Sequence, residues 1–389
     1  QTPLQPNGYT FYKPGYVEQW NLDIQRELPW GIFADVAYAG AHGVHLQQFN
    51  TPIDQIPDSF IRQAAAQCAP VNGKCTGTVT IAQKVGAANS PFFVTGVPGN
   101  VLPGSLGPAN LIQGQLDRPY PQYTDLKIQG YPCCSSRYNS LQVSVTKRFH
   151  GGGTILAAYT NAKLLSNTDT LTSWLEGSTT GGVPNAQDNA NLNNEYSLSA
   201  QDVSQRLVIS YVLDLPFGHG KKFLSDATGV KDKVVAGWGV DGVSIFQKGF
   251  PLKFSDANPS ALSALSLGTG TIRPNVVPGC AKGGPRNTAQ WFNAACFTDP
   301  VPYTFGNEPR VDPTLRQAGV NNWDFALFKR TYFGPDNKLN LEFRSEFFDI
   351  FNRPQFGPPN TGLGNRGFGQ VTSTVNNPRL IQFGLKFAF

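Results

Sequence analysis

Residues 338–351 read KLNLEFRSEFFDIF, and apolar side chains alternate there with polar ones almost residue by residue. A period of two is typical of a β-strand, whose successive side chains leave opposite faces of the pleat. One face is apolar, and the other carries a polar row: Asn340, Glu342, Arg344 and Glu346. A dry core would not accept these ionisable groups. The polar row therefore faces either bulk water in a soluble sandwich or the wet lumen of a barrel whose apolar row faces lipid.

The same alternation recurs along the whole chain. It predicts nine strands: 17–28, 32–40, 138–149, 154–163, 205–215, 236–254, 322–333, 338–351 and 380–389. Most of these segments are longer than the ~5–6 residues of an average strand in a globular protein. They match the ~9–11 residues that a tilted membrane-spanning strand needs. Strand length therefore favours a membrane barrel.

The links between these segments alternate between short and long. The short links are 29–31, 150–153 and 334–337, with a moderate one at 216–235, and the long links are 41–137, 164–204, 255–321 and 352–379. Because consecutive antiparallel strands change direction, all short links fall at one end of the sheet. Outer-membrane barrels have this layout, with periplasmic turns and extracellular loops. We therefore predict an all-β, antiparallel up-and-down outer-membrane β-barrel portion of about nine strands in the cell outer membrane.

The pleat also fixes which side chains share a face. We predict a lipid-facing row composed of Trp20, Leu22, Ile24, Leu141, Val143, Val145, Leu207, Ile209, Tyr211, Leu339, Leu341, Phe343, Ile381, Phe383 and Leu385. Bacterial single-chain barrels carry even strand numbers. Nine strands therefore predict an open, curved sheet whose edges are residues 17–28 and 380–389.

Composition agrees with an all-β chain. Only 15% of the 389 residues are charged, Gly 41 and Pro 30 are abundant, and no window reaches the ~20 apolar residues of a membrane helix. The net charge of +5 is spread along the chain, without the Lys/Arg runs that track nucleic acid, so no nucleic-acid partner is expected. The densest basic stretch, 219–233, contains two Asp and is interpreted as a solvated turn.

The last strand ends on a terminal phenylalanine. Its apolar side chains are Ile381, Phe383, Leu385, Phe387 and Phe389. This pattern is similar to the signal that the barrel-assembly machinery of Gram-negative bacteria reads, so we expect that machinery as a partner.

Six cysteines lie outside every predicted strand. An even number in loops suggests disulfides in an oxidising compartment. Cys68 and Cys75 could close a small ring, and so could Cys280 and Cys296. The state of the adjacent pair Cys133 and Cys134 is left open.

The sequence carries no catalytic motif that we recognise, so we expect no enzyme, no cofactor and no resident metal. Glu342, Arg344 and Glu346 fit a salt-bridge ladder in the lumen better than acid/base chemistry. His42 and His45 fit either a metal pair or a polar cluster that anchors a loop. Trp174 and Trp291 could stack on a sugar or siderophore, although packing within the loops explains them equally well.

Several stretches occur in an order that resembles a known family. These are VEQWNLDIQRELPWGIFADVAYAGAHGVHL, RPYPQYTDL, YNSLQVSVTKRF, YVLDLPFGHGKKF, GWGVDGVSIFQKGFPL, RPNVVPG, WFNAACF, YTFGNEPR, NNWDFALFKR, FRSEFFDIFNRPQFGPPN and FGLKFAF. Together they resemble the C-terminal barrel of large TonB-dependent receptors of the Oar-like type, abundant in Acidobacteria. The resemblance implies that residues 1–389 are the last nine of 22 strands, preceded elsewhere by a regulatory-like domain and a plug. The absence of Met and the loop-like start at Gln1 favour the same interpretation, that of a fragment.

The resemblance implies a receptor or transporter barrel for TonB-dependent uptake of a large solute, such as a siderophore or an oligosaccharide. Its partners would be outer-membrane lipid, its own plug and TonB. Two alternatives stay open at this point: a passive porin-like channel, and a secreted or surface adhesin built as a β-sandwich. No loop carries a motif that identifies the ligand.

Overall fold

The fold is described from a computed structural model that covers residues 13–48, 51–71, 74–86, 89–92, 106–107, 110–128, 130–169, 186–258, 260–334 and 338–389. Nine long strands follow one another: β1 (Tyr16–Leu28), β2 (Ile32–Gln48), β3 (Tyr131–Arg148), β4 (Gly153–Ser166), β5 (Gln205–Asp214), β6 (Trp238–Gln247), β7 (Val320–Phe333), β8 (Leu339–Phe348) and β9 (Leu380–Ala388). Each pairs antiparallel with the next, in sequence order. The predicted up-and-down sheet is confirmed. The two-sheet sandwich is wrong, because all nine strands form one sheet.

The strands β2 and β3 are much longer than their alternation predicts. β2 continues to Gln48 and β3 begins at Tyr131, so the ends of the predicted 41–137 link are strand. The extra pairing passes through register shifts between Gly43 and Gln48, where His45 has a positive φ of 53°. Such bulges disturb the alternation of side chains and hide the strand from a search by period.

Cys133 and Cys134 lie within β3, so the prediction that every cysteine lies outside the strands is wrong for this pair. Cys75 also lies in a two-residue strand, Lys74–Cys75.

The strand β6 is much shorter than predicted. β6 ends at Gln247, whereas its apolar pattern continues to residue 254. Beyond it, Leu252 donates its backbone N–H to the oxygen of Leu315 at 2.9 Å, inside the following link. Pro251, which has no N–H to give to a ladder, lies in this stretch. The apolar residues after Gln247 therefore belong to the core of a loop.

The remaining elements are short. The helices are α1 (Asp58–Gln67), α2 (Gln113–Leu116) and α3 (Gly229–Val235), with 3₁₀ turns at Pro29–Gly31, Thr80–Ala82, Leu192–Glu195, Ser263–Leu265 and Ala294–Cys296. Two-residue strands are Thr51–Pro52, Pro70–Val71, Lys74–Cys75, Lys127–Ile128, Ser197–Leu198, Ser255–Asp256, Asn275–Val276, Phe297–Thr298 and Gly362–Leu363. Within the described ranges, no helix combines the length and the hydropathy needed to cross a membrane.

The links sort to the two ends of the sheet as predicted. Residues 29–31, 149–152, 215–237 and 334–338 join strands at one end. Residues 49–130, 167–204, 248–319 and 349–379 join them at the other end and are called the loop layer below.

The register connects every residue of the predicted lipid-facing row to one face of the sheet. Leu22 pairs with Tyr38, which pairs with Leu141 on the next strand. At the other side of the sheet, Phe343 pairs with Leu385. Directly paired residues project from the same face. Continuing from pair to pair places all fifteen side chains on this face, called the apolar face below, opposite Asn340, Glu342, Arg344 and Glu346.

The sheet is open. β1 and β9 are its first and last strands, and neither pairs with the other within the described part of the chain. Their backbones therefore carry unpaired groups along two full edges.

The buried core lies in the loop layer. One cluster joins the first and third links and includes Ile56, Ile61, Ile81, Leu262 and Leu267. A second joins the third and fourth links and includes Phe254, Phe292, Phe297, Leu315 and Val371. A one-layer sheet has no packed interior of its own, so apolar burial in this molecule takes place between the loops.

Candidate functional site

The polar face carries a connected set of charges centred on Arg344. Its Nη2 donates to both carboxylate oxygens of Asp241, at 3.1 and 3.0 Å, and its Nε donates to Glu346 at 3.2 Å. Glu342 lies 3.7 Å from Arg344 and accepts a 2.8 Å hydrogen bond from Arg330. These groups come from β6, β7 and β8, and their charges largely compensate one another. Glu342, Arg344 and Glu346 of the polar row are therefore part of a network of charges that spans three strands.

Asn340, the fourth residue of the polar row, is not part of this network. Its side-chain oxygen is buried and accepts no hydrogen bond within the described protein.

A cleft of about 550 Å³ opens beside Arg344. Its walls are mainly apolar, with Leu156, Val212 and Val243 on neighbouring strands, and Asp241 and Glu346 supply polar groups. Apolar walls with a few charged groups are typical of ligand sites. The charged groups beside the cleft are paired with one another, since Arg344 donates to Asp241 and to Glu346.

Buried arginines hold the loop layer together. Arg273 in the third link binds Glu195 in the second link at 2.6 Å, and both side chains are almost fully buried. Arg310 pairs with Asp169 and donates to the backbone oxygen of Ser166 at the top of β4, at 2.6 Å. Charge-assisted bonds of this kind are geometrically specific. They fix the third link against the second.

Burial also changes the pKa of Lys253, which interacts with Arg310 and Asp169. It lowers the pKa of Lys253 to about 8, an effect that Arg310 reinforces and Asp169 opposes.

The first and fourth links join the same layer. Gln55 in the first link donates to Asp188 in the second at 2.7 Å. Ser255–Asp256 in the third link pairs in parallel with Gly362–Leu363 in the fourth. The described parts of all four links therefore form one packed body over one end of the sheet.

A carboxyl pair is buried within the third link. Burial raises the pKa of Glu308 to about 8, and the neighbouring Asp312 adds to the rise, while Lys282, 3.6 Å away, opposes it. Burial would also raise the pKa of Asp312, but its bonds to Lys282 and to the amides of Thr314 and Leu315 hold it below its usual range. At neutral pH, the raised pKa of Glu308 favours its protonated form, beside the ion pair of Lys282 with Asp312.

Two exposed tyrosines, Tyr120 and Tyr123, lie on a turn that a buried ion pair stabilises. Arg118, fully buried, contacts Asp54 at 3.0 Å, and Asp54 accepts the backbone N–H of Tyr120 at 2.7 Å. The N–H of Tyr123 closes the turn onto the oxygen of Tyr120 at 3.0 Å. A rigid turn presents these rings at small entropic cost, as aromatic contact residues of binding loops do.

All six cysteines are disulfide-bonded. The bonds are Cys68–Cys75, Cys133–Cys134 and Cys280–Cys296, with Cα separations of 5.1, 3.7 and 5.5 Å. The first and third lie inside single links of the loop layer. The second joins neighbours at the loop end of β3, where both sulfurs lie near the side-chain oxygen of Gln48.

Other residues singled out in the sequence are dispersed. His42 lies 3.8 Å from Glu18, and His45 meets the ring of Tyr16 edge-on, both within β2 and not in a loop. Among the described residues, no group of three or more His, Cys, Asp or Glu could hold a metal. Trp291 is buried and its Nε1 donates to the oxygen of Arg316 at 2.7 Å, so it packs and is not a ligand platform. Trp174 lies outside the described residues.

The terminal residues of the predicted assembly signal occupy the open edge. Ile381, Phe383, Leu385 and Phe387 point to the apolar face of β9, and Phe389 follows it. Sequence reasoning missed the buried arginines, although a signal was present. Arg118, Arg273 and Arg310 each adjoin a proline within quoted stretches: RPYPQYTDL, RPNVVPG and YTFGNEPR.

A protein-family model matches almost the whole chain. The model of the family described as "Outer membrane beta barrel domain" matches residues 3–382. No curated protein sequence matches this chain.

Among solved structures, the chain is similar to the outer membrane transporter YddB from Escherichia coli, with a TM-score of 0.42 and 7% identity over 97% of this chain and 33% of that one. It is also similar to FpvA of P. aeruginosa, with a TM-score of 0.34 and 10% identity over 96% of this chain and 27% of that one. The ferric citrate transporter FecA gives 0.34 and 9%, over 96% and 31%. The chain thus spans a third or less of each of these proteins.

Proposed function

We propose a receptor function for this chain, and the proposal starts from the fact that the chain belongs to the outer membrane beta barrel domain family. It is accordingly a protein of the outer membrane. In our proposal, the nine strands are part of the wall of a TonB-dependent receptor of the Oar-like type, and the loop layer is its extracellular ligand-binding surface. A plug and TonB would supply the energy coupling.

One observation carries the proposal. The described parts of the four long links form a packed body, joined by buried pairs such as Arg273 with Glu195, at the end of a sheet whose polar face is lined with charge. A passive channel needs loops that leave its mouth open, whereas a receptor needs a preorganised surface that recognises one solute. The packing between the described parts of the links favours the receptor.

The aromatic turn supports the same proposal. Tyr120 and Tyr123 are the contacts that we expect a sugar ring or the aromatic part of a siderophore to stack on, with Gln122 between them as a polar neighbour. The cleft beside Arg344 would accept the solute at a later stage, on the lumen side of the wall.

The deciding experiment is an uptake assay in cells that carry the receptor, with and without TonB. Ferric siderophores and malto-oligosaccharides of increasing length serve as probes. We expect entry of at least one probe class only in the presence of TonB. Entry at equal rates in both strains, together with swelling of liposomes that contain the purified protein, would establish the porin-like channel instead.

Binding to the aromatic turn is tested separately. Tyr120→Ala combined with Tyr123→Ala should reduce binding of the transported probe about tenfold or more, since stacked rings are typical hot-spot contacts. Tyr196→Ala is the matched control, because Tyr196 is a comparably exposed tyrosine of the loop layer outside this turn.

A further inference from the structure

The link between β5 and β6 differs from the other links at its end of the sheet. It comprises residues 215–237, whereas the others have three to five residues, and it is folded. Phe223 donates its N–H to the oxygen of Pro216 at 3.0 Å, and Asp232 accepts the N–H of His219 at 2.7 Å. Ala227 is fully buried at its centre. We call residues 217–235 the foot.

The foot contacts the apolar face of the sheet. The ring nitrogen of Trp238 donates to the oxygen of Val234 at 3.0 Å, and Lys329 donates to the oxygen of Ala236. The ammonium of Lys233 lies 5.0 Å from the centre of the Phe333 ring.

The pairing of residues between strands shows that the foot contacts the same face as the predicted lipid-facing row. Trp238 pairs with Lys329, which pairs with Phe343 of the predicted lipid-facing row. The foot therefore projects outward, toward lipid, and not into the lumen.

Lysine–aromatic pairs mark the level of the foot along the strands. Lys329 lies 5.5 Å from the Trp238 ring, and Lys147 lies 5.6 Å from the Phe149 ring, both on the apolar face at the short-link end. Aromatic rings and lysines that reach past apolar surface are typical of the boundary between hydrocarbon and headgroups. The foot is level with that boundary.

The surface of the foot combines apolar and basic side chains with one exposed carboxylate, Asp226. Val230 and Val234 lie one helical turn apart on α3 and are 79% and 60% exposed. Lys221, Lys222 and Lys231 are exposed on the same short segment. The sequence predicted a solvated turn at residues 219–233, but a solvated turn does not explain why two valines one helical turn apart are both exposed. Apolar side chains beside lysines are instead the pattern of segments that lie in an anionic membrane interface.

We infer that the foot binds anionic phospholipid headgroups in the periplasmic leaflet of the outer membrane. Val230 and Val234 enter the boundary of the acyl chains, and Lys221, Lys222 and Lys231 contact headgroup phosphates. The periplasmic side follows from the rule that short links of such barrels face the periplasm. The inference rests on the proposed orientation of the sheet in the membrane, and the experiment separates the two.

The depth of the foot is measured with the whole chain in nanodiscs of phosphatidylglycerol and phosphatidylethanolamine. All six cysteines are in disulfides, so an introduced cysteine is the single thiol to label. A bimane label is placed at Val230→Cys, at Leu341→Cys on the apolar face, and at Val375→Cys in the loop layer. We expect brominated lipid to quench the labels at 230 and 341 and not the label at 375.

The outcomes are distinct. An unquenched label at 341 contradicts the orientation of the sheet, and with it the proposed function. Quenching at 341 without quenching at 230 overturns the foot and leaves the proposed function intact.

Headgroup recognition is measured by retention of phosphatidylglycerol on the detergent-solubilised protein, using native mass spectrometry. Lys231→Glu should lower retention about fivefold or more, since each lysine near an anionic surface contributes on the order of a fivefold factor. Lys74→Glu makes the same charge change on an exposed lysine of the loop layer and should have no effect. Equal retention in the two variants would overturn headgroup binding.

Discussion

Arg273 shows at the residue scale how the links of the loop layer are joined. Its guanidinium donates to Glu195 through two nitrogens, at 2.6 and 3.3 Å, and through Nε to the backbone oxygen of Glu308 at 2.8 Å. Arg273→Met leaves the Glu195 carboxylate buried without its partner. Removal of one member of such a pair costs about 3–5 kcal/mol. We expect a loss of this size in the free energy of unfolding, measured by denaturant titration in detergent.

The matched control is Arg366→Met, since Arg366 is an exposed arginine of the fourth link. Its cost should stay within about 0.5 kcal/mol, as for most surface substitutions. Similar losses in both variants would mean that the buried pair does not stabilise the layer.

Glu308 gives the layer a pH dependence of known sign. Its folded pKa of about 8 lies above its ordinary value of 4.5, so the folded protein holds a proton that the unfolded chain has released. The contribution of Glu308 to the free energy of unfolding is therefore complete below about pH 4.5. It decreases with a slope of roughly 1 kcal/mol per pH unit as the pH rises toward 8. Glu308→Gln, which stays neutral, should remove this slope. Melting temperatures between pH 5 and 9 measure it.

Asp226→Asn serves as the control, because Asp226 is an exposed carboxylate far along the chain from this cluster. It should keep the slope of the unmodified protein. A slope that survives in Glu308→Gln would assign the pH dependence to other groups.

At the scale of the element, the strand β8 decides the orientation of the sheet. Leu341 projects to the apolar face and Asn340 to the polar face. Leu341→Arg should cost about 2–4 kcal/mol near the middle of the bilayer, whereas Asn340→Arg should be tolerated. Folding into lipid vesicles, followed by urea titration, measures both. Equal tolerance at the two positions would contradict the assignment of the faces.

The strand β9 is predicted to carry the assembly signal. The rings of Phe387 and Phe389 lie with their centres 6.1 Å apart. Deletion of Phe389 should lower the amount of protein assembled in the outer membrane, assayed by membrane fractionation. Replacement by Tyr keeps an aromatic residue at this position and should preserve assembly. Full assembly of the deletion variant would show that the signal does not depend on this residue.

At the scale of the whole molecule, the open sheet leaves β1 and β9 with one unpaired side each. In hydrocarbon, each unsatisfied backbone group costs several kcal/mol, so these edges demand further pairing. We expect the chain alone, in detergent, to show fast hydrogen exchange at alternate amides of β1 and β9 and slow exchange throughout β4 and β5. Uniform protection across β1 and β9 would instead indicate pairing between these edges.

The sequence by itself determined the faces and the order of the strands. A period of two is a local property, because the pleat alone sends neighbouring side chains to opposite faces. Alternation in segments such as 338–351 therefore predicted the polar row and the apolar row without knowledge of any partner. The lengths of the links followed in the same way, since they only count the residues between periodic segments.

Only the tertiary structure decided how the described parts of the loops pack and which residues form the proposed binding surface. Arg273 finds Glu195 78 positions away, and Arg310 finds Asp169 141 positions away, across links that have no period. The foot likewise depends on contacts that reach from Lys233 on one link to Phe333 at the end of another strand. A local pattern cannot encode such distant pairs, because the same arginine or lysine is equally compatible with an exposed turn. Folding selects the partner by burying both groups together.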